Sequence, residues 1–179
     1  MEAHDKLARF EQVILPHLGA AYNLARWLAR NDADAEDVVQ EAYLRAFRFF
    51  EGFHGGDGRA WLLAIVRNVY YSVVGRSPAP ELTTAFDEQM HSLPSDDFNP
   101  EKWALQRVES RLLQQALEEL PLEAREVLVL RELEDLSYKE IAEIVGIPIG
   151  TVMSRLARAR AALRVVLEQR LASRVNKES

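Results

Sequence analysis

Cysteine is absent from the 179-residue sequence, which excludes a disulfide framework, a thiolate metal site and a cysteine nucleophile. Histidine is scarce: the four histidines, at positions 4, 17, 54 and 91, are scattered and fit neither a metal-ligand spacing nor a catalytic triad. The sequence therefore predicts no metal site, no catalytic residues and no cofactor. An enzyme is the weakest of the functions considered.

Long apolar runs are also absent. The longest one, from Ala60 to Val66, is far below the roughly 18 apolar residues that a membrane-spanning helix needs. The first residues of the chain carry charges from position 2 onward, so they lack the apolar core of a signal peptide. An apolar share of 48% nevertheless supports packed cores. We therefore expect a soluble, cytoplasmic protein without membrane insertion.

The net charge of −6 would disfavour nucleic-acid binding, but the charges are sorted along the chain. Residues 58–76 contain three arginines and no acid, and residues 149–174 contain six arginines and one acid. Between them, residues 77–101 contain six acids and neither lysine nor arginine. Because local patches and not the net charge decide where a polyanion docks, the sequence predicts two basic surfaces separated by an acidic linker.

Helical periodicity runs through a first block of the chain, from about Asp5 to Gly75. The clearest stripe lies between Ala35 and Phe50, where apolar residues recur at three- and four-residue spacing, and Asn31 or Asp32 caps this helix. Four glycines within positions 52–58 then predict a loop. The next helix is expected from about Arg59, with the core residues Trp61, Leu62, Ile65, Val69 and Val73.

A second helical block follows the linker, and no stretch of the chain has the alternating pattern of a strand. Prolines at positions 78, 80, 94 and 100 leave little in the linker that can pack. The helices expected in the second block cover residues 103–120, 122–134, 137–145 and 149–171. The predicted fold class is all-α, with two small helical domains joined by a flexible acidic linker.

The strongest local signal lies between Ser137 and Leu163. Ser137 and Glu140 have the spacing of a capping box, Gly146 suits the left-handed end of a short helix, and a proline at position 148 blocks its continuation. The next helix is expected to bury Val152, Leu156, Ala159 and Leu163 and to carry Thr151, Ser154, Arg155 and Arg158 on its opposite face. This order predicts a DNA-binding helix-turn-helix; the alternative is a pair of antiparallel helices with a solvated arginine face.

This region resembles the promoter −35-binding domain of extracytoplasmic-function (group 4) sigma factors, in the sigma-70 superfamily of bacterial RNA polymerase. The matching residues are LEELPLEAREVLVLRELEDLSYKEIAEIVGIPIGTVMSRLARARAAL, residues 117–163. In the first block, DAEDVVQEAYLRAFRFF (34–50) resembles the helix with which such factors bind the β′ clamp helices of polymerase. RAWLLAIVRNVYYSVVGR (59–76) resembles their −10-recognition helix, which follows a loop that captures a flipped base.

The resemblance implies three domains and three sets of functional residues. The domains are sigma region 2 (1–76), the acidic linker (77–101) and sigma region 4 with the helix-turn-helix (102–179). The residues expected to bind the −35 element are Arg131, Thr151, Ser154, Arg155 and Arg158. Those expected at the −10 element are Phe53, His54, Arg67 and Asn68, the first two offering stacking surface beside loop glycines. Those expected to bind polymerase are Asp37, Gln40, Glu41, Leu44 and Arg48.

The implied partners are core RNA polymerase, through its β′ clamp helices and β flap, promoter DNA, and an anti-sigma factor. Four linker acids are expected either to line the RNA path of polymerase or to serve as a solubilising tether: Asp87, Glu88, Asp96 and Asp97. One position departs from the family. Where Met153 stands, the family usually has a lysine or arginine facing DNA, so −35 contacts are expected to be weaker or differently specified.

Two other functions compete with a sigma factor that binds core polymerase and directs transcription initiation. A conventional activator with a helix-turn-helix predicts DNA binding without polymerase, and it leaves the match of residues 34–50 unexplained. A sigma-like decoy that sequesters an anti-sigma factor usually lacks a basic recognition helix and carries a receiver domain. This sequence has the former and lacks the latter.

Overall fold

The computed structural model describes residues 2–73 and 110–178, and every long regular element in these ranges is an α-helix. These helices are α1 (Glu2–Ile14), α2 (Leu18–Ala29), α3 (Asp32–Arg48), α4 (Gly58–Val73), α5 (Ser110–Glu119), α6 (Leu122–Leu128), α7 (Tyr138–Val145) and α8 (Ile149–Lys177). Short 3-10 turns cover Leu15–His17 and Phe50–Gly52, and a π-helical turn covers Val129–Leu133. No strand occurs in the described ranges, and the predicted all-α class is confirmed.

The helices group into two compact units. The first unit contains α1–α4 together with residues 136–147, which include α7. The second unit contains α5, α6 and α8. The predicted domain boundaries at residues 76 and 101 fall outside the described residues, as do the linker acids and the start of the helix expected from residue 103.

An aromatic cluster forms the core of the first unit. Phe10 of α1 is fully buried, and its ring meets those of Tyr43, Phe47 and Phe50 edge-on at centroid distances of 5.1, 5.3 and 5.3 Å. Each such pair contributes about 0.5–1.5 kcal/mol beyond the buried area. The cluster therefore ties α1 to the last turns of α3, the helix whose apolar stripe is clearest in the sequence.

Local signals set the boundaries of α3. Asn31 is its N-cap, because the Asn31 side chain accepts a hydrogen bond from the backbone N–H of Asp34 at 2.8 Å. Arg30, at φ 67°, adopts the left-handed conformation that ends α2. Of the two caps that the sequence allowed, Asn31 is the one observed.

Helix α4 buries a wider face than its periodicity indicates. Leu62 and Val69 are buried as expected, but Val73 is exposed, and Trp61 and Ile65 are only half-buried. The buried residues that the stripe did not include are Leu63, Val66, Tyr70 and Tyr71. The difference arises because α4 packs against α2 and α3 at once, so the face it buries is broader than a single helix–helix contact requires.

Helix α8 is the longest element and packs against α5 and α6 of the second unit. Its predicted core residues, Val152, Leu156, Ala159 and Leu163, are all buried. It continues to Lys177 and not to the expected end near Leu171. The additional residues are exposed, and because they include neither glycine nor proline, nothing in them breaks the helix.

The helix expected over residues 122–134 is present but changes type. The regular α-helix ends at Leu128, and a π-helical turn follows that closes with a hydrogen bond from the Glu134 N–H to the Val129 carbonyl at 3.0 Å.

Within the described ranges, no helix is long and apolar enough to cross a membrane. The same part of the chain contains no cluster of three or more side chains suited to a metal ion.

Candidate DNA and polymerase interfaces

The start of α7 carries the predicted capping box. The Ser137 hydroxyl accepts from the Glu140 N–H at 3.1 Å, and the Glu140 carboxylate accepts from the Ser137 N–H at 3.0 Å. The N–H groups of Ser137 and Glu140 at the start of this eight-residue helix are thereby both satisfied locally. The sequence prediction of a capping box is confirmed.

The turn between α7 and α8 is equally local. Gly146, at φ 78°, occupies the left-handed region, and its N–H donates to the Ala142 carbonyl at 2.8 Å. Pro148 then caps α8, and its carbonyl accepts from the N–H groups of Thr151 and Val152 at 3.0 and 3.1 Å. A short helix, a three-residue turn and a long helix follow one another as a helix-turn-helix requires.

The predicted −35 residues on α8 do not share one environment. Thr151, Ser154 and Arg158 are half-buried, so part of each side chain faces solvent. The Ser154 hydroxyl donates back to the Thr151 carbonyl at 3.1 Å. Arg131, in the π-helical turn, is also half-buried. These four residues are therefore partly accessible on the second unit.

Arg155 is different, because its side chain is only 4% exposed. The expectation that it lies on the outer face of α8 was wrong. On a helix, residue 155 lies three positions after Val152 and four before Ala159, and both of these belong to the core face. The second unit also buries Glu123, Arg125, Glu126 and Glu134, so Arg155 is one of five charged side chains in its interior.

Loop 52–58 combines glycine conformations with an aromatic anchor. Gly55 and Gly56 have φ values of 93° and 95°, which other residues rarely adopt. Phe53 is only 7% exposed, and its ring stacks on Phe50 at 5.8 Å and tilts against Trp61 at 5.2 Å. The expectation that Phe53 offers free stacking surface was therefore wrong for this structure, because the ring fills the aromatic core.

The polar residues of this loop have separate roles. His54 is exposed. Asp57 caps α4 by accepting from the Arg59 N–H at 2.9 Å. A side-chain hydrogen bond shared with Glu140, and then the backbone N–H of Arg59, hold the pKa of Asp57 below its usual value. Gly58 begins α4 in close contact with α1: a Cβ atom there would lie 2.9 Å from the Val13 carbonyl oxygen.

Helix α4 presents the two remaining −10 candidates. The Arg67 guanidinium lies over the Tyr71 ring, 4.5 Å from its centroid, a cation–π contact that orients the half-buried side chain. Asn68, the next residue, is exposed. Both lie on the segment of the chain that contains no acid between residues 58 and 73.

The face of α3 opposite the core is polar with one exposed leucine. Leu44 is 57% exposed, and Asp37, Gln40 and Arg48 around it are exposed too. Glu41 is half-buried and accepts from the Arg45 guanidinium at 3.0 Å. The structure thus brings the predicted polymerase residues onto one accessible face, with Glu41 held in a pair along the helix.

Among the exposed apolar residues that were not predicted sites, three lie beside predicted ones. Phe49 is exposed at the C-cap of α3, and Ile149 and Met153 are exposed in the first turns of α8. The helical stripe predicts burial only for residues on the core face, and it contains no signal that marks an outward apolar residue as functional. For Met153 alone, the sequence did draw attention to the position, because the family usually has a lysine or arginine there.

A helix-turn-helix with a basic second helix is typical of DNA-binding transcription factors. The comparisons with known proteins narrow this class. Residues 13–76 match the family model for sigma-70 region 2, and residues 110–163 match the model for sigma-70 region 4.

Curated relatives match over most of the chain. The extracytoplasmic-function RNA polymerase sigma factor SigE of Mycolicibacterium smegmatis is 37% identical over 87% of this chain and 60% of its own length. The sigma-E factor of Haemophilus influenzae is 38% identical, covering 76% of this chain and 75% of that protein. The sigma-H factor of Pseudomonas aeruginosa is 33% identical, and the match covers 92% of this chain and 88% of that protein. The chain belongs to the extracytoplasmic-function sigma factors of the sigma-70 family and is a transcription initiation factor.

Solved structures agree with this membership. The sigma factor RpoE of Bartonella quintana, in complex with the anti-sigma factor NepR, matches with a TM-score of 0.67 at 27% identity, covering 89% of this chain and 97% of that one. CnrH, in complex with the cytosolic domain of CnrY, matches with a TM-score of 0.60 at 26% identity. The match covers 89% of this chain and 88% of that one.

Proposed function

We propose that this sigma factor binds core RNA polymerase through the outer face of α3, recognises the −10 element with loop 52–58 and α4, and recognises the −35 element with the first turns of α8. It performs no chemistry of its own. The observation that carries the proposal is that two accessible surfaces of different chemistry occur on separate units. One is polar with acids around a leucine, and the other is the first part of α8, where Thr151, Ser154 and Arg158 are partly exposed.

The outer face of α3 supports a protein partner. An exposed leucine surrounded by charged and amide groups has the composition of a small interface, in which one apolar anchor is buried and a polar rim sets orientation. Asp37 gives this face a negative charge that a basic polymerase surface would complement. We propose the β′ clamp helices as that surface.

Loop 52–58 and α4 support binding of the −10 element. His54 and Asn68 are exposed, and the two glycines at positive φ leave the loop backbone open to close approach by a base. Arg67 supplies the positive charge. Because Phe53 is part of the core, its role in this proposal is to hold the loop by stacking on Phe50, and not to stack on DNA.

A protein inhibitor is also part of the proposal. The two structural neighbours were solved as complexes with an anti-sigma factor and with the cytosolic domain of CnrY. We propose that this chain likewise binds an anti-sigma factor, and that it works in the cytoplasm, where core polymerase acts. The β flap is the polymerase element we propose for the second unit.

Run-off transcription with purified core polymerase on genomic fragments tests the proposal. Asp37→Arg should lower polymerase affinity by reversing a charge in the contact, measured by pull-down of core enzyme. Glu36→Arg is the matched control. It reverses the charge of an exposed acid that lies about 100° around the same helix from Asp37. This control should bind polymerase as the wild type does.

Arg158→Ala should leave polymerase binding intact and weaken −35 binding by about 1–3 kcal/mol if the arginine contacts a base. Equal loss of both activities in Arg158→Ala, or equal polymerase binding by Asp37→Arg and wild type, would contradict the proposed surfaces. Tight, specific promoter binding by the free protein would instead support a conventional activator.

A further inference from the structure

The start of α8 has an apolar outer surface. Ile149 and Met153 are 44% and 53% exposed, and their four-residue spacing places them on one side of the helix. Gly150 lies beside them, and a Cβ atom built there would find nothing within 4 Å. These three residues form a surface of carbon atoms, here called the apolar strip, with open space over Gly150.

Two polar groups near the apolar strip are directed elsewhere. The Ser154 hydroxyl donates to the Thr151 carbonyl within the helix, and Arg155 is buried in the second unit. Within residues 149–155 no charged side chain is therefore exposed. The nearest partly exposed arginine on α8 is Arg158, more than one turn beyond Met153.

The position of the strip restricts what it can contact. In a helix-turn-helix, the first residues of the second helix enter the major groove and meet the base edges. On these edges the one apolar group is the C5 methyl of thymine, which exposed apolar side chains contact. A methionine side chain is flexible and polarisable, so it can adjust to a methyl group whose position varies with DNA geometry.

We propose that Met153 and Ile149 recognise thymine methyl groups in the −35 element, so that this sigma factor selects thymine opposite the start of α8. The inference rests on the proposed −35 role of α8. Double-stranded DNA is the favoured occupant because a partly exposed arginine, Arg158, lies further along the same helix, and because Gly150 lets the backbone approach a base pair closely. A protein partner on the strip is the competing outcome.

The test removes the methyl group from the DNA and leaves the protein unchanged. Full-length protein with core polymerase first selects −35 sequences from a duplex library randomised at this element. Each selected thymine is then replaced by deoxyuridine, and affinities are compared by competition. Since one buried CH₂ or CH₃ group contributes about 0.8 kcal/mol, the wild type should prefer thymine over deoxyuridine about fourfold at one or two positions.

Protein variants identify the side chain that causes this preference. Met153→Ala should abolish the preference for thymine over deoxyuridine at one position, so that the two bases bind about equally there. Met153→Lys should also lose the preference but increase the salt dependence of binding, because the lysine neutralises a phosphate. Val175→Ala, an equally apolar change at an exposed site near the far end of α8, should leave the fourfold preference unchanged.

The outcomes separate this inference from the proposed function. If no sequence is selected at the −35 position, the assignment of α8 fails and this inference fails with it. If a sequence is selected but thymine and deoxyuridine bind equally at every position, only the methyl recognition is overturned. Methyl recognition by Met153 is likewise overturned if Met153→Ala keeps the thymine preference. It is also overturned if Met153→Ala weakens polymerase binding and leaves DNA affinity unchanged, a result that would identify a protein contact.

Discussion

The two units of this sigma factor have chemically different cores. In the first unit, aromatic rings around Phe10 pack with aliphatic residues, and the described part of that unit buries no charged side chain. In the second unit, residues 110–135 and 148–178 contain no aromatic residue at all. This core instead buries five charged side chains, Glu123, Arg125, Glu126, Glu134 and Arg155.

The difference shows where sequence patterns mislead. Apolar packing has no direction, so a hydrophobic stripe is enough to predict which residues of the first unit are inside. A buried charge must have partners, and its sequence signature is the same as that of a surface charge. In a protein that binds DNA, an arginine of the second unit is thus easily mistaken for a DNA contact.

Phe10→Ala is expected to have the largest effect. It removes the ring that meets Tyr43, Phe47 and Phe50, and truncation of a fully buried phenylalanine costs about 3–5 kcal/mol of unfolding free energy. Hydrogen exchange should report the loss in peptides of α1, α3 and α4. Unchanged exchange in these peptides would contradict the central position of Phe10.

Arg155→Ala should destabilise the second unit by about 3 kcal/mol, because it truncates a long side chain that is only 4% exposed and leaves a cavity in the core. The matched control is Arg158→Ala, a partly exposed arginine on the same helix, which should keep wild-type stability and lose −35 affinity. Urea denaturation and a DNA titration separate the two effects. If Arg155→Ala unfolds as the wild type does but loses DNA binding, Arg155 is a DNA contact after all.

Gly58→Ala tests how tightly the first unit is packed. The new Cβ would lie 2.9 Å from the Val13 carbonyl oxygen, and since backbone cannot move aside cheaply, we expect a loss of about 1–3 kcal/mol. Gly150→Ala on α8 is the counterpart in the second unit, with nothing near its Cβ position. It should be neutral or slightly stabilising, and a loss equal to that of Gly58→Ala would argue against the close approach.

Arg164→Ala is expected to have the smallest effect. Arg164 pairs with Glu168 at 3.3 Å along the exposed side of α8, and exposed pairs at this spacing contribute about 0.3–0.5 kcal/mol. The loss should shrink further in high salt. A destabilisation as large as that of Arg155→Ala would remove the distinction between buried and surface charges in the second unit.

Much of the candidate site was predictable because its signals are local. The capping box at Ser137 and the left-handed Gly146 depend on neighbours within four residues, and both predictions are confirmed. The outer face of α3 followed from periodicity, and Leu44 is exposed as expected. The roles of the −10, −35 and polymerase residues stay predictions, to be tested by the experiments above.

What failed depended on how separate elements pack against one another. Phe53 looked like a stacking surface in a glycine loop, but Phe50 and Trp61 enclose its ring. Val73 satisfied the stripe of α4 and is nevertheless exposed at the helix end. The periodicity of one helix gives the direction of its core face but not the number of neighbours that cover it.

Sequence alone determined the helices, the turn between α7 and α8 and the family, because helix propensity, caps and left-handed glycine are properties of short segments. Tertiary structure alone decided which polar and aromatic side chains remain accessible. Arg155 and Arg158 differ by three positions, yet one lies in the core and the other reaches solvent. The reason is physical: burial is set by everything packed around a residue, and a sequence records only the residue itself.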